Sequence, residues 1–202
     1  MMEAILYIHG KGGNATESEH YKSLFPGCEV IGLDYLFSPW EAGKEIYNAV
    51  KELKSKYENI ILIANSIGAF FSINAGIDDM IQKAYFISPI VDMETLISDM
   101  MKWANVTEQE LESEGVVHTD FGEDLSWEYL SYVRSHPIKW RVPTQILYGS
   151  NDHLTSIKTI TDFANKHQAS LTVMQDGEHW FHTDEQMAFL DNWIKILNLP
   201  AI

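Results

Sequence analysis

The sequence predicts an α/β protein, a three-layer sandwich on a mostly parallel six-stranded sheet. Three observations lead there. Six short runs of β-favouring apolar residues recur along the chain without the alternation that marks a half-exposed sheet. Most are separated by stretches of helical length that open on Ser or Thr caps. The hydroxyls, acids and histidines that could do chemistry come directly after the runs, where open parallel sheets carry their sites.

In chain order, Glu3–Ile8 reads as the first buried strand, ending in His9-Gly10-Lys11-Gly12-Gly13-Asn14. Glu29–Asp34 is the second. Ser38-Pro39-Trp40-Glu41 then has the form of a capping box with proline at the first helical position. The helix it opens sets Ala42, Ile46, Ala49, Val50, Leu53 and Tyr57 on one face. Ile60–Ile63 is the third strand and runs into Ala64-Asn65-Ser66-Ile67-Gly68, after which Ala69–Ile73 reads as a buried helix. Lys83–Ser88 is the fourth, stopped by Pro89.

From about Ile90 to Val142 the rhythm breaks, and the segment reads as short helices inserted into a single domain that spans residues 1–202. Met93, Leu96, Ile97, Met100 and Met101 recur at helical spacing, Thr107–Glu110 forms another capping box, and Trp127, Leu130 and Val133 mark a third helix. The insertion is expected to form a helical cap over the carboxyl ends of the strands. Alternation then returns with Thr144–Gly149, a helix over about Ser156–Lys166, and a last strand at Leu171–Met174. A final helix, capped at Thr183, buries Met187, Leu190, Ile194 and Leu197.

Composition narrows the function classes. At 202 residues the chain suits one well-packed domain, and its 46% apolar and 21% charged residues are those of a water-soluble globule. A net charge of −15 leaves no basic face for phosphates, which argues against nucleic acid and against an anionic membrane surface. No apolar run approaches the ~18 residues that a bilayer span needs. The N-terminal segment has no basic stretch followed by a signal-like apolar core. The single Cys28, unable to form an internal disulfide, is expected to be a small hydrophobe at a strand start. Together these features predict a cytoplasmic location.

Chemistry centres on Ser66. A serine between a buried strand and a buried helix fits a strand–nucleophile–helix elbow, a turn so tight that its neighbours two residues away must be small. Here those neighbours are Ala64 and Gly68. A serine hydroxyl is a weak nucleophile and needs a base, normally histidine, that a carboxylate orients. Loops after later strands supply candidates: Gly149-Ser150-Asn151-Asp152 follows the fifth strand, and Asp176-Gly177-Glu178-His179 follows the sixth. Asp92, after the fourth strand, is an alternative acid that would otherwise cap a helix. His182 is an alternative base, although it immediately precedes the cap of the last helix.

The order Ser66, Asp152, His179 and the elbow itself resemble the α/β-hydrolases, in a minimal form that carries a small helical cap. This resemblance covers nearly the whole chain and departs from the usual pattern at Ala64, where glycine is common. It implies Ser66 as nucleophile, Asp152 as acid and His179 as base. It further implies an oxyanion hole made by the backbone N–H groups of Ile67 and of Lys11, the residue after His9-Gly10. The expected activity is hydrolysis of a small, partly apolar carboxylic ester through an acyl-enzyme. A thioesterase, a small amidase or peptidase, or a non-catalytic ligand-binding protein on the same shell are the alternatives. Met100, Trp127 and His182 are candidate pocket residues. No cofactor is expected: His9, His179, His182 and Asp184 lack the spacing of a helical zinc motif, and Gly10–Gly13 lacks that of a phosphate-binding loop.

Overall fold

The computed structural model describes residues 3–198. Its strands are β1 (Glu3–Ile8), β2 (Glu29–Leu33), β3 (Asn59–Asn65), β4 (Lys83–Ile87), β5 (Val116–His118), β6 (Asp124–Ser126), β7 (Thr144–Gly149) and β8 (Ser170–Met174). Its α-helices are α1 (Pro39–Lys54), α2 (Ile67–Asn74), α3 (Met93–Trp103), α4 (Glu108–Glu114), α5 (Trp127–Ser135), α6 (Ile157–His167) and α7 (Asp184–Leu197). Two compact units result. One runs to Val91 and resumes at Trp140; the other is Asp92–Lys139.

The first unit holds the six predicted strands as one parallel sheet in the order β2-β1-β3-β4-β7-β8. Both faces are covered, as the unbroken apolar runs require. Ile5, Tyr7, Ile61, Ile63, Tyr85 and Ile87 form a buried face with Tyr21, Leu24 and Phe25 and with Leu190, Trp193 and Ile194 of α7. The alternate residues Leu6, Ile8, Leu62 and Ala64 are equally buried on the other face, where α1 and α2 pack. Because β2 and β3 lie on opposite sides of β1, the winding reverses between β1 and β3. At such a switch point open α/β sheets carry their sites, beyond the carboxyl ends of the strands.

Several local readings meet their physical outcome here. α1 buries Ala42, Ile46, Val50 and Leu53, with Ala49 only half-buried. Its expected capping box does not close: Pro39 takes the first helical position, and the Ser38 hydroxyl donates to the Glu41 carboxylate instead of accepting a backbone N–H. α7 buries Leu190, Ile194 and also Trp193, whose Nε1 donates to Thr172 Oγ1 at 3.2 Å; Met187 and Leu197 pack at the edge of the core. Cys28 sits half-buried just before β2, its thiol pushed up by burial and by the Glu3 carboxylate.

One element had no signal in the sequence pattern. Ala15–Ser23 forms a 3₁₀-helix capped by Asn14, whose Oδ1 accepts the Thr16 N–H at 2.9 Å. It carries no apolar stripe and is anchored by the buried Tyr21. Gly32 lets it approach, since a β-carbon there would lie 1.9 Å from the Ala15 carbonyl oxygen.

The second unit contains the three expected helices and a hairpin that the expectation of short helices alone did not include. β5 and β6 pair antiparallel around a tight loop, with Gly122 at φ +82°. Three-residue strands are too short for a period of two to stand out. α4 opens on a closed capping box, with the Thr107 hydroxyl accepting the Glu110 N–H and the Glu110 carboxylate accepting the Thr107 N–H. Arg134 ties α5 to α3 and α4 by hydrogen bonds to Glu94 at 2.7 Å and, bidentately, to Glu108 at 2.6 and 2.9 Å.

Candidate active site

Ser66 stands at the end of β3 in a conformation that L-residues rarely adopt, φ 51° and ψ −120°. Such backbone costs on the order of 1–3 kcal/mol and persists where surrounding bonds over-determine it. They do so here. The Ser66 N–H donates to the Ile87 carbonyl at 3.0 Å, and the Ser66 carbonyl accepts from Ile90 at 3.0 Å and from Ala69 at 3.1 Å. The neighbour two residues on must be glycine: a β-carbon at Gly68 would lie 2.6 Å from the His9 carbonyl oxygen and 2.7 Å from that of Ile8. Ala64, two residues earlier, is fully buried.

The hydroxyl of Ser66 lies 2.8 Å from His179 Nε2. On the far side of the ring, Nδ1–H donates to Asp152 Oδ2 at 2.6 Å, which leaves Nε2 free to accept from the serine. Asp152 has a side chain fully removed from solvent, and its other oxygen accepts the backbone N–H groups of Leu154 at 2.8 Å and Thr155 at 3.1 Å. A buried carboxylate is tolerable because every charged oxygen has a partner.

Two loops must meet for this chain of bonds to form. β7 and β8 bring them side by side, with Gly149 opposite Met174. Two glycines then allow contact: a β-carbon at Gly149 would lie 2.4 Å from the Gly177 carbonyl oxygen. Backbone bonds lace the loops together, from Ser150 to Met174 at 2.9 Å and from Asn151 to Gly177 at 2.8 Å. Ser150 Oγ accepts the Asp176 N–H at 2.8 Å. Asp176 itself holds φ 60°. Behind them the Tyr148 hydroxyl donates to the Thr155 carbonyl at 2.7 Å; burial, and then the nearby Asp152 charge, push its pKa up and keep that proton in place.

The loop after β1 reaches the elbow from the other side. Gly10–Gly13 is a turn closed by the Gly13 N–H on the Gly10 carbonyl at 3.1 Å, with Lys11 and Gly12 as its central pair and Gly12 at φ +78°. A β-carbon at Gly10 would lie 3.2 Å from Ser66 Cβ, so the turn runs directly beside the serine. Ile67 opens α2, and its N–H is one of the first-turn donors that have no acceptor within the helix. Beneath the turn His9 is buried, its Nδ1–H donating to the Gly10 carbonyl at 2.8 Å and its ring stacked on Tyr35 at 4.6 Å. The Tyr35 hydroxyl donates to the His9 carbonyl, and burial pushes its pKa well up.

The competing residues have other tasks. Asp92 caps α3, accepting the Thr95 N–H at 2.9 Å and its hydroxyl at 2.8 Å. The Nδ1–H of His182 donates to the Trp180 carbonyl at 2.6 Å, and its ring stacks on the Trp180 indole at 4.7 Å. Met100 lies on α3 and Trp127 at the start of α5, both half-buried in the second unit. Among the described residues no group of three or more His, Cys, Asp or Glu side chains is arranged to hold a metal ion. No described helix is long and apolar enough to cross a membrane.

Of the candidate pocket residues, His182 lines a cavity beside His179; the other residues of that cavity were not among those expected to form a pocket. This cavity of about 400 Å³ opens between the Asn151–Leu154 loop and the Glu178–His182 loop, with His179 among the residues that line it. Two of its lining residues are exposed apolar side chains, Trp180 at 69% and Leu154 at 43%. The one available signal was an indole directly following the proposed base. Of the remaining histidines, His153 lines this cavity, His20 pairs with Asp191 at 2.7 Å, and His167 donates to the Trp140 carbonyl at 2.9 Å.

Comparison with known proteins places this architecture. No family model matches the chain, and no curated protein matches its sequence. Solved structures do match. The structure of Est1E from Butyrivibrio proteoclasticus with ferulic acid bound is 15% identical, has a TM-score of 0.72, and is aligned over 96% of this chain and 87% of that one. The mouse alpha/beta hydrolase domain-containing protein 10 is 18% identical with a TM-score of 0.72, over 96% of this chain and 88% of that one. An esterase domain from a Rhodothermus marinus protein is 13% identical with a TM-score of 0.65, over 97% and 85%. The fold is that of the α/β-hydrolases.

Proposed function

We propose that the protein is a serine hydrolase that cleaves a carboxylic ester of a small, partly apolar substrate through an acyl-enzyme. One observation carries the reading: the Ser66–His179–Asp152 chain, with bonds of 2.8 and 2.6 Å, anchored on a serine held at φ 51°. A residue in a merely structural turn has no need of strained backbone, an imidazole acceptor and a dry carboxylate behind that imidazole. The similarity to an esterase domain adds support for the ester as substrate class.

In this mechanism Ser66 Oγ forms a bond to the carbonyl carbon while its proton passes to His179 Nε2. Asp152 holds the ring by Nδ1 and stabilises the imidazolium. The developing oxyanion is received by the backbone N–H groups of Ile67 and Lys11, each well-placed donor contributing about 3–4 kcal/mol. The bond from carbon to the alcohol oxygen then breaks, and His179 returns the proton to that oxygen. Water repeats the sequence on the acyl-enzyme: it gives a proton to His179, its oxygen bonds to the acyl carbon, and Ser66 leaves with the proton. Esters ask least of such a relay, whereas thioesters and small amides would use the same groups.

A panel of acetyl and butyryl esters, thioesters and anilides, tried on wild type and Ser66→Ala, tests the reading. Turnover of esters above the other classes, lost in Ser66→Ala with the fold intact, is expected. Ester turnover that survives in Ser66→Ala at more than about a tenth of wild type contradicts it, since removal of such a group costs about 10⁴–10⁶ in kcat.

A further inference from the structure

We infer that the cavity beside His179 is the leaving-group subsite and that it selects a planar aromatic alcohol, with Trp180 as its specificity-determining residue. This inference rests on the proposed reaction. In that reaction the imidazolium gives its proton to the departing alcohol oxygen, so the alcohol portion must lie against His179. His179 is also one of the residues that line the cavity. A substituent on the alcohol is therefore led into this cavity.

What lines it decides the chemistry. Trp180 keeps one ring face stacked on His182 at 4.7 Å with an interplanar angle of 23°, and the residue as a whole stays 69% exposed. The indole is backed by the His182 ring, which is itself held by its Nδ1–H on the Trp180 carbonyl at 2.6 Å, so the pair offers a platform on which a ligand ring can lie. Leu154, 43% exposed, adds an aliphatic surface to the lining. Around this apolar pair stand Asn151, His153 and Glu178, which suit hydroxyl or ether substituents on a ring rather than a bare alkyl chain. A volume of about 400 Å³ accommodates a single substituted ring. Glu178 is itself held by the Gln186 amide at 3.2 Å, which fixes the polar side of the site.

The test uses two esters that share an acetyl group and differ in the flatness of the alcohol, benzyl acetate and cyclohexylmethyl acetate. Wild type is expected to prefer the benzyl ester. Trp180→Ala should lower kcat/KM for benzyl acetate about three- to tenfold, the scale of one aromatic contact, and change the cyclohexylmethyl ester less than twofold. Equal losses on both esters, or none on either, would overturn the inference. A binding arm is independent of turnover. Benzyl alcohol should bind Ser66→Ala saturably by isothermal titration calorimetry and at least threefold more weakly in Ser66→Ala/Trp180→Ala; unchanged binding would also overturn it. If Ser66→Ala stays active, the reaction assignment falls, while the binding arm still judges the cavity.

Discussion

The two flanks of Ser66 are built on opposite plans. On the β7–β8 side, side chains do the work and the backbone is braced to hold them: Gly149 and Gly177 touch, four loop hydrogen bonds cross between the strands' ends, and Asp152 is sealed from water. On the β1 side, the groups proposed to act are backbone N–H donors. Gly10–Gly13 is an exposed turn with open space around Gly12, steadied from beneath by His9 and Tyr35. A proton relay needs three side chains aligned to within hydrogen-bond reach, so errors compound and the loops are laced. A pair of N–H donors needs close approach of main chain to substrate, which the glycines of this turn allow.

Substitutions can break that contrast, beginning where most is lost. His179→Ala removes the relay outright and should cost about 10⁴–10⁶ in kcat, whereas His182→Ala, removing a ring bonded to the Trp180 carbonyl, should cost no more than about tenfold. Steady-state kinetics on the pair decides. An inactive His182→Ala beside an active His179→Ala would move the base to the other ring.

Next come the two acids. Asp152→Asn keeps the shape but no longer fixes the required tautomer, and a fall of about 10⁴ in kcat is expected. Asp92→Asn should leave kcat within twofold of wild type and cost no more than about 1 kcal/mol by chemical denaturation, since asparagine caps a helix nearly as well. Comparable kcat losses in both would mean that Asp92 shares the acid's task.

The smallest effects separate the two flanks by their glycines. Gly149→Ala puts a methyl group into the Gly177 carbonyl, so it should lower stability by about 1–3 kcal/mol and kcat by at least tenfold. Gly12→Ala meets no neighbour within 4 Å and bears only the left-handed backbone cost of about 1–2 kcal/mol in an exposed turn. Its kcat should fall less than tenfold. Melting curves and kinetics read both, and a Gly12→Ala enzyme more impaired than Gly149→Ala would reverse the ranking of the flanks.

What the sequence made legible follows the range of each interaction. The six strands were readable because burial on both faces removes polar residues from consecutive positions, and the elbow because strand, serine and helix are contiguous. Close approach of Gly68 to the β1 carbonyls explains why glycine stands after the serine, while Ala64 shows that the position before it tolerates a methyl group. Illegible features are of two kinds. The Ala15–Ser23 helix and the β5–β6 hairpin are short and lack a period, so no pattern rises above its surroundings. The Gly149–Gly177 contact and the Trp180–Leu154 cavity lining join residues about 26–28 positions apart, and only the pairing of β7 with β8 brings them together. Asp152 was expected as the acid from its place after the fifth strand, with Asp92 as the alternative. Both follow a strand, but Asp152 meets His179 at 2.6 Å while Asp92 is bonded to Thr95 at the start of α3.

The most direct test of an activated Ser66 is covalent capture. Wild-type protein treated with an alkyl fluorophosphonate should gain one phosphonyl group by intact mass, located on the peptide that contains Ser66, with Ser66→Ala unmodified and His179→Ala labelled at least a hundredfold more slowly. A wild-type protein that stays unlabelled under conditions that saturate a known serine esterase, or a Ser66→Ala protein that labels at the wild-type rate, would contradict it.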